Sequence, residues 1–290
     1  TSSACYAAQF LGGFFRSRER PWRLNDTMSR VLLLVVTSCA LFFAACASGP
    51  PAPPYPAYVI SDELPDIFMA SLPGIRAKQY AANDQTRSTS NRIDLPPEWS
   101  GTTGGSPGKS LEIFILEGEL RLADITLRRG GYAYLPPGTL GFNLKSPDGA
   151  RILYFLEDID AAAMIRAPLI LDSGLIDWQD GDTAEISTKV LRADPGSGER
   201  TWLMQIEPGA SIPWESVSVS REGYLITGQY QHSECVEGEA YTDIYLPGGY
   251  FKRPPNAVNG GPSSMAISAS VWFLRESSQG TTIPANCATN

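Results

Sequence analysis

The chain has 290 residues, 43% of them hydrophobic and 19% charged, with a formal net charge of −8 and a single histidine. That length accommodates two modest domains, and an acidic excess without a basic, aromatic-interleaved stripe argues against nucleic acid as a partner. One histidine leaves little material for an imidazole-rich metal centre or for proton transfer near neutral pH.

In chain order, residues 1–27 precede the first methionine, Met28, and read as translation upstream of the true start. Residues 28–45 carry a short basic start at Arg30, an apolar run from Val31 to Phe43 and small residues before Cys46. This resembles a bacterial lipoprotein signal, with Phe43-Ala44-Ala45-Cys46 as the lipobox. The resemblance implies a diacylglyceride on Cys46, and Ala47 behind it implies the periplasmic side of the outer membrane. Residues 46–66 are proline-rich and read as a stiff extended tether. Five arginines but only two acids lie in the first 45 residues, so the mature part is more acidic than the whole. Cys235 and Cys287 then remain as an even pair in an oxidising compartment, which predicts a disulfide pinning the 279–290 tail.

From residue 67 the pattern is β throughout. Leu111–Leu116, Tyr132–Leu135, Ile152–Leu156, Thr201–Ile206 and Val271–Leu274 are short, apolar or β-branched and bounded by turn residues. The run from Asp160 to Ile165, with three consecutive alanines, predicts a brief helix within a linker at 161–184. Thr103–Ser110 looks superficially like a phosphate-binding loop, but a strand rather than a helix follows it, so it reads as a plain loop.

The chain also repeats itself. Glu112-Ile-Phe-Ile-Leu-Glu-Gly118 and Gly131-Tyr-Ala-Tyr-Leu-Pro-Pro137 recur as Glu222-Gly-Tyr-Leu-Ile-Thr-Gly228 and Gly249-Tyr-Phe-Lys-Arg-Pro-Pro255. Lys78 to Pro97 matches Lys189 to Pro208 in spacing, and Gly131 to Phe155 matches Gly249 to Phe273. Two copies of one β domain follow, at 67–160 and 185–278. Gly118 and Gly228 are expected at tight turns after the Glu-bearing strands.

These motifs resemble the cupin superfamily, and in both halves, which makes the chain similar to a bicupin. The nearest likeness is to an uncharacterised bacterial cupin-like family related to the ChrR-type cupin. The resemblance implies an all-β chain of two tandem double-stranded β-helix (jelly-roll) barrels. It also implies where a metal would be held, because most catalytic cupins use two His and a Glu from the first motif and a His from the second. In the second copy those His positions fall on Glu215, Val217 and Asn259, with Glu222 as the acid; in the first they fall on Gly105, Pro107 and Gly141, with Glu112. Val, Gly and Pro offer a metal nothing.

The expectation is therefore no metal and no cofactor. The alternative is one divalent metal in barrel 2, held by Glu215, Glu222, His232 and Asn259, an oxygen-rich set suited to a hard cation. His232 reads as a residue at a strand end or loop. Candidate ligand contacts at a barrel mouth are Glu222, Asn259, Tyr224, Tyr250 and Glu112. The expected function is binding of a small organic or sugar-like ligand, or an envelope accessory role, with a cupin enzyme (a metal-assisted dioxygenase, isomerase or lyase with atypical ligands, or a metal-free isomerase) as the alternative. The partners are membrane lipid through Cys46 and a small molecule, and a homodimer is left open.

Overall fold

Strand alternation sets the architecture. On the strand Lys109–Leu122, Leu111, Ile113 and Ile115 belong to one buried cluster while Phe114 and Leu116 belong to another. Side chains of a strand point alternately to its two faces, so a run apolar on both faces must be covered on both. Here one face closes a barrel and the other packs against a second barrel.

The computed structural model describes residues 51–288 other than 70, 104–107, 140 and 182. The lipobox with Cys46 lies outside the described residues, as do Gly105 and Pro107. In the first half the strand order is Leu169–Asp172, Gly131–Leu135, Lys109–Leu122, Ala150–Asp158, Ser88–Leu95, Arg76–Asn83, Asp66–Phe68. In the second it is Val59–Ile60, Gly249–Arg253, Arg221–Thr227, Ser270–Glu276, Arg200–Ile206, Ile186–Ala193, Gln179–Asp180. The two orders correspond strand for strand, and every pairing is antiparallel. The fold is all-β: two cupin-type jelly-roll barrels of one topology.

Each barrel takes its first strand from across the molecule. Val59–Ile60 precedes barrel 1 yet pairs with Gly249–Arg253 of barrel 2, whereas Leu169–Asp172 precedes barrel 2 and pairs with Gly131–Leu135 of barrel 1. A three-residue 3-10 turn follows each exchanged strand, at Ser61–Glu63 and Ser173–Leu175. The 161–184 stretch thus contributes two short strands, Leu169–Asp172 and Gln179–Asp180, rather than serving as a plain linker. The tether expected at 46–66 is also shorter than read: from Tyr55 the chain lies on barrel 2, where Tyr58 stacks on Tyr245 at 4.6 Å between centroids and the Lys252 N–H donates to Pro56 O at 2.8 Å. Aromatic rings override the extended preference of the prolines by burying apolar area.

Three local expectations need correction. Asp160–Ile165 forms a single turn, with the Ala162 N–H on Asp160 Oδ1 at 2.7 Å, and no helix; Met164 and Ile165 instead give their N–H groups to Asp194. Gly118 sits inside a long strand at a bulge rather than in a hairpin turn. A Cβ there would lie 2.2 Å from Gly149 O, and one on Gly228 would lie 2.3 Å from Ala269 O, so close backbone approach demands both glycines. The matching Gly131–Phe155 and Gly249–Phe273 spacings are fortuitous. The ladders pair Ser90 and Glu112 with Phe155 but Thr201 and Glu222 with Arg275, so Arg275 is the counterpart of Phe155 and Phe273 that of Leu153.

A disulfide joins Cys235 to Cys287, closing 52 residues of chain and tying down the exposed edge strand Thr282–Pro284, which pairs with Glu215–Val217. The chain-entropy account places such a closure near 4 kcal/mol at most. Because the pinned strand is short and exposed, we expect reduction to lower unfolding free energy by about 2 kcal/mol, read as a shift of the urea midpoint with and without reductant.

Candidate functional site

Barrel 1 offers little chemistry inside. Its interior is mostly aliphatic, filled by Ile93, Ile113, Ile115, Leu120, Leu135 and Ile152, with Tyr154 buried among them and its hydroxyl unpartnered. Tyr132 and Tyr134 face the seam between barrels.

Barrel 2 is different because its interior is aromatic and carries charge. Trp202, Tyr230, Tyr245, Phe251 and Trp272 pack edge and face at 5.1–6.1 Å between centroids. On Gly249–Arg253, alternation sends Phe251 and Arg253 to the same side, and Arg253 lies over the Phe251 ring at 3.7 Å. Its Nε and Nη2 reach Glu234 Oε1 at 2.8 and 2.7 Å, and Tyr55 Oη donates to Glu234 Oε2 at 3.0 Å. Glu234 is fully buried, so the pair is a buried salt bridge with its remaining lone pairs satisfied.

His232 is neither at a strand end nor in a loop. It sits within Tyr230–Val236, 3% exposed, beside a cavity of about 30 Å³ that Glu215, Arg221, Arg253 and Asn259 also line. Burial, and secondarily the Arg253 charge, hold its pKa well below the usual imidazole range, with Asn259 acting in the opposite direction. The ring is therefore neutral. Nδ1 and Nε2 of His232 and the Tyr230 hydroxyl are buried without a hydrogen-bond partner, Glu234 Oε1 being 3.7 Å from Nε2. Unpaired buried polar atoms around a void are where a water or a small polar ligand is missing, and that volume holds roughly two waters at ~10–15 Å³ each.

The residues of the alternative metal set do not converge. Glu215, His232 and Asn259 share the cavity, but Glu222 is outside it, on the other face of its strand. Gly223 and Leu225 point into barrel 2, which by the two-residue period sends Glu222 and Tyr224 outward. Glu215 is engaged by Arg221 Nη1 at 3.1 Å. The carboxylates nearest the cavity, Glu215 and Glu234, are already taken by Arg221 and Arg253, which leaves neither free for a divalent cation. Among the described residues no three His, Cys, Asp or Glu side chains are placed to share one ion. The donor set does not fit a catalytic metal.

Nor do the five ligand candidates share a mouth. Asn259 is in barrel 2, while Glu112, Glu222, Tyr224 and Tyr250 lie in the inter-barrel seam. There each glutamate accepts one hydroxyl from its own barrel and one from the other. Glu222 Oε2 accepts Tyr250 Oη at 2.6 Å and Ser90 Oγ at 2.7 Å; Glu112 Oε1 accepts the Tyr132 and Thr201 hydroxyls. Arg275 bridges the two, with Nε on Glu112 Oε2 at 2.6 Å and Nη1 on Glu222 Oε1, while its guanidinium stacks on Phe155, its own counterpart, at 4.3 Å. Burial raises the Glu112 pKa, but Arg275 and Arg192 outweigh it and hold the carboxyl at about 2. Glu222 is also lowered, burial being outweighed by Lys252 and Arg275. A cleft of about 370 Å³ opens beside this network, and Arg192, its other buried cation, is taken by Glu199 at 3.0 Å. The arrangement is a fastener between barrels.

Sequence reasoning missed Glu234, Arg253 and Tyr55. Arg253 was within reach, since Phe251 and Arg253 alternate with the polar Lys252 in a strand whose neighbours are apolar inward. Tyr55 had no such signal.

Comparison with known proteins agrees with the topology. The family described as Domain of unknown function (DUF4437) matches residues 165–281. None of the curated proteins compared matches the chain. Among solved structures, a dioxygenase candidate from Nostoc punctiforme is similar at 20% identity and TM-score 0.60, covering 76% of this chain and 82% of that one. Protein Ylba from E. coli, of family model DUF861, is similar at 14% and 0.59, covering 79% and 94%. The Lactobacillus farciminis oxalate decarboxylase in its formate complex is similar at 9% and 0.60, covering 81% and 91%. Likenesses at such identities establish architecture and not activity, and on that footing this chain is a protein of the cupin fold.

Proposed function

We propose that the protein is a lipid-anchored bicupin of the periplasmic face of the outer membrane, acylated at Cys46, whose second barrel binds a small polar organic molecule and holds no catalytic metal. The observation that carries this reading is the trio of unpartnered buried polar atoms, two on His232 and one on Tyr230, around one cavity. Leaving a buried donor or acceptor unpaired costs about 1–3 kcal/mol, which a ligand or water returning the hydrogen bonds would relieve. Arg221 and Arg253 beside the cavity are balanced by Glu215 and Glu234, so the cavity favours a neutral polar group. About 30 Å³ admits a compact molecule, or one polar group of a larger one, but a sugar ring enters only if lining side chains move.

The enzyme alternative, in which Glu215, Glu222, His232 and Asn259 work on a divalent metal, is weakened by the position of Glu222. Two results separate the readings. Elemental analysis of purified, tag-free protein is expected to find far less than one equivalent of Fe, Mn, Ni or Zn, and a stoichiometric metal would overturn the proposal. Glu222→Gln is expected to lower stability alone; loss of an activity in a folded variant would favour the enzyme. Lipid attachment is checked by labelled palmitate incorporation, expected in the wild type and lost in Cys46→Ser.

A further inference from the structure

Two hollows open at the end of the seam remote from the glutamate pair. Along Ala150–Asp158, Glu157 meets Arg275 at one end, and Arg151 lines the first hollow at the other. That hollow, of about 230 Å³, is lined by Asp62, Arg92, Glu117, Arg129, Arg151 and Tyr224 among others. The second, of about 280 Å³, is its counterpart across the repeat.

The ladders make the comparison residue by residue. Arg92 pairs with Leu153 and Leu203 with Phe273, so Leu203 stands where Arg92 stands. Arg151 pairs with Glu117 at the bulge of one barrel, as Val271 pairs with Thr227 at the bulge of the other. Asp62 and Gly174 are the middle residues of the two 3-10 turns, and Tyr224 corresponds to Phe114 through their pairing with Tyr250 and Tyr132. Asp62, Arg92, Glu117, Arg151 and Tyr224 are thus replaced in the second hollow by Gly174, Leu203, Thr227, Val271 and Phe114, while Ser61 is matched by Ser173 and Arg129 lines both hollows. The seam closes equally well without these charges, so the fold does not require them.

Burying a guanidinium without structural need calls for another reason. The Arg92 side chain is 6% exposed and its Nε has no partner. Its other nitrogens contact Asp62 at 2.8 Å and Asp94 at 3.3 Å; Asp62 is 85% exposed and open to water, whereas Asp94, 49% exposed, is shared with Arg151 Nε at 2.7 Å. Arg129 stands exposed at the rim and pairs with no carboxylate among the described residues. Against these forks lie Leu116, Ile226 and Pro247. Planar guanidinium groups match a carboxylate bidentately, and the apolar wall suits a short hydrocarbon body.

We propose that this hollow is a binding site for a small organic carboxylate, its head group on Arg92 and Arg129 and its chain against Leu116 and Ile226. The site is separate from the barrel 2 cavity and stands or falls independently of it.

The probe is hexanoate, titrated calorimetrically into the full chain, with hexanamide as the uncharged control. Saturable hexanoate binding is expected, with no heat from hexanamide. Arg92→Leu installs the residue that the counterpart hollow already accommodates; it is expected to fold and to lose hexanoate binding at least 10-fold. Arg129→Ala, at the exposed rim, is expected to weaken it several-fold with no change in thermal midpoint. Absence of hexanoate binding, equal binding of hexanamide, or unchanged affinity in folded Arg92→Leu and Arg129→Ala would each overturn the site.

Discussion

Arg275→Leu is expected to lower the unfolding free energy by about 3–5 kcal/mol, the range for breaking a buried ion pair from one side. Such a loss is a large part of the ~5–15 kcal/mol that holds a domain together. The reason lies in what remains: Glu112 and Glu222, 2% and 6% exposed, keep their hydroxyl donors but lose the one guanidinium that touches both. A carboxylate left buried without its cation carries an uncompensated desolvation penalty. Leucine also fails to stack on Phe155 as the guanidinium does. The measurement is the urea midpoint at pH 7, with the slope monitored to confirm that the same surface is exposed. Adding Glu112→Gln and Glu222→Gln to Arg275→Leu should recover part of the loss, because neutral amides need no cation. A drop below about 1 kcal/mol in the single variant would mean that the seam is held by its aromatics alone.

Acid is expected to weaken the fold in two stages, both with the same sign. The Glu112 pKa is depressed from an ordinary carboxylate value to about 2 in the folded chain. Its contribution is present in full above the unfolded value near 4.5 and is lost as pH falls from there toward 2. At ~1.4 kcal/mol per pKa unit this amounts to roughly 3 kcal/mol, to which Glu222, lowered in the same direction, adds. His232 acts earlier. Its pKa is held well below the ordinary imidazole value of 6.5, so the unfolded chain binds a proton that the folded chain refuses, and stability begins to fall below that pH. Denaturation series from pH 7 to pH 3 should show this decline. Glu112→Gln should flatten its lower part, and His232→Phe its upper part. A profile level from pH 7 to pH 3 would refute the assignment of buried carboxylates to Glu112 and Glu222 and of a buried neutral imidazole to His232.

Reciprocal strand exchange explains why the seam tolerates so many charges. Each barrel lends the other a strand, and the aromatic cluster of Phe114, Phe155 and Phe273, with rings 5.0–5.6 Å apart, lies between the charged end and the two hollows. On the side of the hollows this packing keeps water from the Glu112–Arg275–Glu222 network, leaving it approached only from the cleft, and burial strengthens each ionic contact. Evidence of the repeat survives there most clearly, in the paired Glu, Tyr and Ser or Thr positions. It is broken at Phe155 and Arg275, at Ala81 and Arg192, and at Tyr134 and Lys252.

Much of this was legible in the residues themselves. The doubled Glu-to-Gly and Gly-to-Pro-Pro segments, short β-branched runs and turn residues determine two like β barrels, because local pattern and hairpin chemistry act over a few residues. The scarcity of imidazole likewise follows from counting. The side of a strand on which a residue lands does not. Glu222 and Asn259 were read as neighbours at one mouth, yet a single-residue step along a strand separates the barrel interior from the seam. The Gly249–Phe273 spacing matched by accident, since only hydrogen-bond register shows that Arg275 occupies the place of Phe155. Tyr55, Glu234 and Arg253 meet across 179 and 19 residues of chain, and the Arg92 hollow forms from both barrels. Composition and periodicity thus determine elements and their repetition, which are short-range; the juxtaposition of charge with void depends on register and on inter-barrel packing, which only the closed tertiary structure decides.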